Sequence, residues 1–203
     1  ALIEPFACCI RGLNKISIKH GDNVAILGAG PTGVMHTLLA RLWGANNIVV
    51  SDVNEFRLKF VEKYGVAAVN LNLEKLDDVI NNNTESLGVD VTILATGSMK
   101  AFESSLRITR RGGKILLFGV PSVGSNCDLD LNSLYSNEQI IIPSYGASEI
   151  ETNQALSLMS DKSIDLLPLV THRFQLRESD NAFKCAHEAV DAMKVLVVTS
   201  YFY

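Results

Sequence analysis

Three observations predict a doubly wound α/β fold, a parallel sheet covered by helices on both faces. Short continuous apolar runs (VAIL, IVVS, VTILAT, KILLFGV) alternate with stretches of helical periodicity. Strands buried on both faces lose the in–out alternation of a half-solvated sheet, so unbroken apolar runs mark a covered parallel sheet. A glycine-rich turn, GAGPTG at 28–33, follows the first run at once, and an acid, Asp52, closes the second run 19 residues after Gly33.

The elements follow in order. Residues 1–15 (ALIEPFACCIRGLNK) are helical in pattern, and VAIL at 24–27 is the first strand. The helix 31–44 has Val34, Leu38, Leu39 and Leu42 at helical spacing, Pro31 at its start and Gly44 at its end. IVVS (48–51) is a strand, Asn54 begins a helix closing at Gly65, and AAVN is the next strand. A helix around 73–82, the strand 91–96, a helix from about Met99 to Thr109 and the strand 114–120 complete the next repeats. LNSLYS is a helical turn, QIIIPS (139–144) a sixth strand, and 149–160 a helix. The pattern then breaks: LLPLVTHRFQL precedes a helix at about 179–192 and a final run, VLVVTS.

Each glycine of the turn has its own task. Gly28 permits a tight turn after the strand, Gly30 lets a pyrophosphate reach the backbone, and Gly33 lets helix and strand pack closely. Pro31 and Thr32 open the helix whose free N–H groups favour an anion. Asp52 can accept hydrogen bonds from the adenosine ribose and repels a 2′-phosphate, which favours NAD over NADP; alternatively it is a helix cap. Arg57 either lies over the adenine or a phosphate, or is a solvated surface residue. Thr96, Gly97, Gly119 and Val120 end the fourth and fifth strands, where ligands bind in this architecture; ordinary turn chemistry is the other reading.

Composition narrows the function classes. The 203 residues carry 18 basic and 22 acidic side chains, a net charge of −4, and no basic stripe with interleaved aromatics, so nucleic acid is not an expected partner. No apolar run approaches the roughly 20 residues of a membrane span. Four scattered cysteines without CxxC or metal-ligand spacing read as free thiols in a reducing compartment, and a cytoplasmic protein is expected. The chain opens at Ala1, without Met, directly in an apolar helix, from which a fragment of a longer protein is expected.

The run EPFACCIRGLNKISIKHGDNVAILGAGPTGVMHTLLARLWGANNIVVSD resembles the medium-chain, zinc-dependent alcohol and polyol dehydrogenases. LATG, RRGGKILLFGVP, NEQIIIPSYGAS and LLPLVTHRFQLRESDNAFKCAHEA are similar to the same family, so the resemblance covers almost the whole chain. The pair Glu4–Pro5 is similar to the sorbitol, polyol and threonine dehydrogenase branch. The resemblance implies a six-stranded Rossmann domain over 16–165, preceded by a helix (1–15) leading from an N-terminal catalytic lobe and followed by a return segment of that lobe (166–203). It further implies hydride transfer between a secondary alcohol or polyol and NAD, with zinc in the complete enzyme polarising the substrate oxygen. Glu4 is the one metal-site residue it carries over, with a helix-start carboxylate as the other reading. His20, His36, His172 and His187 lack the Cys or His–Glu context of the remaining ligands, so this chain alone is expected to hold no catalytic zinc and to be inactive unaided. Arg173 matches an arginine lining the cofactor cleft, or is a surface residue. Pro143 stands where the family commonly has glycine. A homodimer or homotetramer through the sixth-strand edge is implied. Helix 1–15 and the final strand are expected to pack on the other lobe and so to leave apolar surface exposed here. A zinc-free reductase of the same superfamily and a non-catalytic dinucleotide-binding module are the alternatives.

Overall fold

The computed structural model describes residues 1–199; the last four positions of the predicted return segment, 200–203, lie outside the described residues. Helix α1 (Ile3–Ile16) precedes β1 (Val24–Leu27), α2 (Pro31–Leu42), β2 (Ile48–Asp52), α3 (Glu55–Glu62), β3 (Ala67–Asn70) and α4 (Leu76–Asn83). Then follow β4 (Val89–Leu94), α5 (Met99–Ile108), β5 (Thr109–Leu117), α6 (Leu131–Ser136), β6 (Ile140–Pro143) and α7 (Glu149–Ser160). The chain continues through β7 (Val170–Gln175), α8 (Ser179–Glu188) and β8 (Lys194–Val198).

Six strands form one sheet in the order β3-β2-β1-β4-β5-β6, every neighbouring pair parallel. The chain winds outward from β1 to β3, returns beside β1 at β4, and winds the other way. That reversal opens a crevice at the carboxyl ends of β1 and β4, the usual ligand position in such sheets. The unbroken apolar runs have the expected cause: all four residues of β1 are buried. Its side chains alternate between two cores. Val24 and Ile26 join the cluster under α1, α2 and α3, whereas Ala25 and Leu27 join Leu76 and Ile80 of α4 and Ile108 of α5.

Local chemistry sets the helix starts. The Asn54 side chain caps α3 by accepting from Arg57 N–H, Asp130 caps α6, and Ser148 with Glu151 forms a reciprocal capping box on α7. Strand β5 starts earlier than predicted because Thr109 pairs with Val89 before a bulge shifts the register to Val91–Lys114. Gly112 (φ 67°) provides the turn inside that bulge. Helix α8 ends before the predicted 192, where Ala189 turns left-handed (φ 48°).

Helix α1 corrects one expectation. Its apolar face is not left exposed for another lobe: Phe6 and Ile10 are fully buried in the main core, with Leu13 and Ile16. Arg11 pairs with Glu151 at 3.6 Å and Asn14 donates to Gln154 at 3.1 Å, binding α1 to α7. Strands β7 and β8 form a separate parallel pair, with Leu169, Val170 and Met193 anchored in the same core. On the final strand the expectation of exposed apolar surface fits at Val197 alone among the described residues, the rest of β8 being half-buried.

Candidate functional site

A cleft of about 540 Å³ lies at the carboxyl ends of β1, β2 and β4. Its lining brings together five residues singled out in the sequence, Gly28, Gly30, Asp52, Arg57 and Thr96, and adds Ser51, Leu71, Leu76, Ser98, Lys100 and Ser104. That volume is in the range of small-molecule and cofactor sites, about 300–1,000 Å³.

The three glycines differ as their assigned tasks require. Gly28 adopts φ 109°, a left-handed conformation that side chains disfavour. A Cβ on Gly33 would lie 1.9 Å from the Gly28 carbonyl oxygen, so α2 can approach the turn only with glycine there. A Cβ on Gly30 would meet nothing nearer than an Arg57 guanidinium nitrogen at 3.8 Å, so this glycine faces open cleft. Helix α2 begins at Pro31 with no capping side chain and no acid in its first turn. The N–H groups of its first turn, Thr32 among them, are therefore free to meet an anion.

Asp52 ends β2 and holds the cleft together. One carboxylate oxygen accepts from Ala29 N–H at 2.7 Å, and the other from Val53 and Asn54 N–H at 2.7 and 2.9 Å. The acid thus ties the glycine turn to the turn before α3, and the oxygen that accepts from Ala29 keeps a lone pair for a further donor. Both readings of Asp52 find support: it braces local turns and it faces the cleft. Two cleft residues carry buried polar atoms without a protein partner, Arg57 Nε and Ser51 Oγ. Unsatisfied buried polar atoms in a cleft call for a ligand or water.

The other predicted residues lie elsewhere. A Cβ on Gly97 would come within 2.2 Å of the Val120 carbonyl oxygen, and one on Gly119 within 2.3 Å of Thr96 backbone carbon. These glycines let the turns after β4 and β5 pack against each other. Gly97 and Thr96 line a neighbouring pocket of about 140 Å³ with Pro121 and Cys127, while the Val120 side chain is exposed. Arg173 is exposed on β7, outside the lining of the cleft. Lys100 and Ser104 were missed; their signal was their place on the helix that begins just after β4.

Glu4 is exposed on α1 and accepts a hydrogen bond from the Cys8 thiol at 3.3 Å. Partial burial first, and the Glu4 carboxylate second, push that thiol up to about 11. Among the described residues no three His, Cys, Asp or Glu side chains converge to hold a metal ion. A catalytic zinc site needs three protein ligands, so the residues present do not fit one by themselves. The cleft, in contrast, fits a dinucleotide: an open glycine cradle, an uncapped helix start and unsatisfied donors.

Strand order and switch-point cleft define a Rossmann-type doubly wound domain. Residues 31–161 match the family model described as zinc-binding dehydrogenase, and the chain belongs to that family. It is 34% identical over 197 residues to an L-threonine 3-dehydrogenase of Vibrio vulnificus, which covers 97% of this chain and 57% of that relative. The chain therefore spans a little over half the length of the curated relatives it matches. Among solved structures, a protein of Sinorhizobium meliloti described as a zinc-binding dehydrogenase, bound to NADP, superposes with a TM-score of 0.84 at 26% identity, over 98% of this chain and 58% of that one. A short chain alcohol dehydrogenase of E. coli CFT073 in complex with NADH shares the fold, with a TM-score of 0.90 at 19% identity over 98% of this chain and 58% of the other. No helix of the described residues is long and apolar enough to cross a membrane.

Proposed function

We propose that this chain is the nicotinamide-dinucleotide-binding part of a dehydrogenase that oxidises a secondary alcohol, with NAD preferred over NADP. The observation that carries the reading is the single cleft joining Gly28, Gly30, Asp52 and Arg57 at the switch point of the sheet. The pyrophosphate sits against Gly30 and the N–H groups that open α2. An adenosine ribose hydroxyl donates to Asp52, and Arg57 turns its free donor toward the same half of the ligand. Thr96 and the turns after β4 and β5 flank the nicotinamide end. The bound nicotinamide supplies the hydride acceptor; the protein contributes placement and field.

The secondary-alcohol class is supported by the kinship with L-threonine 3-dehydrogenases. The polyol branch rests on Glu4–Pro5 alone. The same reading makes 166–203 a return segment of a second lobe and the protein cytoplasmic. The metal-binding side chains that accompany Glu4 would come from that lobe, and so the 203 residues alone would not turn over alcohol. Self-association is proposed through the free edge of β6, where Ile140 and, just beyond it, Tyr145 are exposed.

Calorimetric titration of the 203-residue chain with NADH and with NADPH tests the cofactor reading. NADH binds at least about tenfold more tightly, because a 2′-phosphate set against the Asp52 carboxylate costs 1.4 kcal/mol or more. Asp52→Ser narrows that gap. Equal affinities, or tighter NADPH, would reverse the cofactor choice; no heat with either would remove the dinucleotide reading.

A further inference from the structure

The β7–α8–β8 unit meets the six-stranded unit through a small apolar anchor and one polar side chain. Asn54 Nδ2 donates to the carbonyl oxygens of both Ala189 and Val190, at 3.2 Å each. Among the described residues, no other hydrogen bond or ion pair joins 170–198 to the six-stranded unit. The two carbonyls need a donor from outside, because they follow the end of α8, where helix carbonyls run out of partners. Ala189 there holds a left-handed backbone at φ 48°, which costs a residue with a Cβ about 1–2 kcal/mol, so the turn is maintained by its surroundings.

At its other end Asn54 is wired into the cleft. Its Oδ1 accepts from Arg57 N–H at 3.1 Å, and its own N–H donates to Asp52 at 2.9 Å. Asp52 and Arg57 both line the cleft. Asn54 therefore touches the two residues assigned to the adenosine half of the ligand, Arg57 through its carboxamide and Asp52 through its backbone N–H, while the same carboxamide holds the turn that sets α8 against β8.

We infer that Asn54 is a positioning residue whose carboxamide couples occupancy of the dinucleotide cleft to the placement of the β7–α8–β8 unit. The inference rests on the dinucleotide reading of the cleft. A ligand held by Asp52 and Arg57 stiffens the turn between them, and Asn54 passes that restraint to Ala189 and Val190. The coupling needs no large movement, only a narrower range of positions for the joint.

Hydrogen exchange read by mass spectrometry tests this on the full chain, with and without saturating NADH, in wild type, Asn54→Ser and Asn54→Asp. Both variants keep a side-chain oxygen to cap α3 and lack the amide donor; the aspartate also sets a carboxylate against two carbonyls. Without ligand, amides of 189–197 exchange about tenfold faster in both variants, as expected for the loss of two hydrogen bonds, while α3 amides of the serine variant stay as in wild type. NADH slows exchange at 189–197 severalfold in wild type and leaves it unchanged in variants shown by calorimetry to be saturated. A merely structural asparagine would leave the ligand-dependent difference intact. The inference is overturned if wild type binds NADH without added protection at 189–197, or if the variants gain the same protection. Absence of NADH binding to wild type is a separate result, which removes the cofactor reading and the coupling together.

Discussion

Gly30 and Gly33 stand three residues apart in one turn, yet their surroundings assign them opposite consequences. A methyl on Gly33 collides with a backbone oxygen at 1.9 Å, whereas one on Gly30 points into the cleft. Gly33→Ala is expected to destabilise the fold by more than about 3 kcal/mol, read from urea denaturation. Gly30→Ala is expected to leave the unfolding midpoint within experimental error and to weaken NADH binding about tenfold or more by calorimetry, since it fills the pyrophosphate cradle. Equal stability losses in the two variants would mean that Gly30 is a packing glycine like its neighbour. The spacing of these residues was legible in the sequence because each task demands a residue without a Cβ at a fixed offset. The role shared by Gly97 and Gly119 was not, because it depends on two turns, remote in sequence, meeting back to back. Asp52 was legible as a cleft acid, but its grip on Ala29, Val53 and Asn54 N–H depends on side-chain direction. Asp52→Ala is expected to cost about 1–3 kcal/mol of stability besides its effect on cofactor, since three backbone donors lose their acceptor.

At the scale of elements, period and punctuation carried most of the prediction. Four covered strands read as apolar runs, and Asn54, Pro31 and Gly44 marked helix ends in the sequence. The bulge in β5 was hidden, because Arg110, Arg111 and the two glycines after them carry no strand-like pattern; they belong to the strand only because Thr109 and Lys114 on either side of them pair with β4. Helix α1 was recognised as a helix and given the wrong neighbour. Its periodicity records that one face is buried, not against what, and while one partner, α2, follows soon after, the other, α7, lies far along the chain. Phe6→Ala is expected to lower stability by about 3–5 kcal/mol, measured by denaturant unfolding, as for a fully buried aromatic truncated in a core. A loss below about 1 kcal/mol would place α1 outside the cooperative unit.

The molecule as a whole carries a latent acid sensitivity. His36 is fully buried on α2 against the edge of the Phe118 ring, and neither ring nitrogen has a partner. Burial lowers its pKa from 6.5 to about 3, so the folded protein holds the imidazole neutral. The unfolded chain takes up a proton as pH falls through about 6.5, and the folded one does not until far lower pH. The stability this supports is complete above pH 6.5 and is lost progressively as pH falls toward 3. By about pH 4.5 the loss reaches about 2–3 kcal/mol from this residue. His36→Leu is expected to shrink the stability difference between neutral and acid pH by that amount, with denaturation midpoints at two pH values as the measurement. An unchanged difference would show that His36 reaches water in the folded state.

Helix α1 also imposes a timetable. It is made before the six-stranded sheet, yet its apolar face closes only when α7, more than 130 residues later, docks across it. At about 5–20 residues per second, a ribosome needs on the order of ten seconds to cover that span. Throughout that interval Phe6, Ile10 and Leu13 are without their final shelter, and the newborn chain exposes a greasy stripe that chaperones can seize. A helix that reinforces the finished protein is therefore covered late during its synthesis.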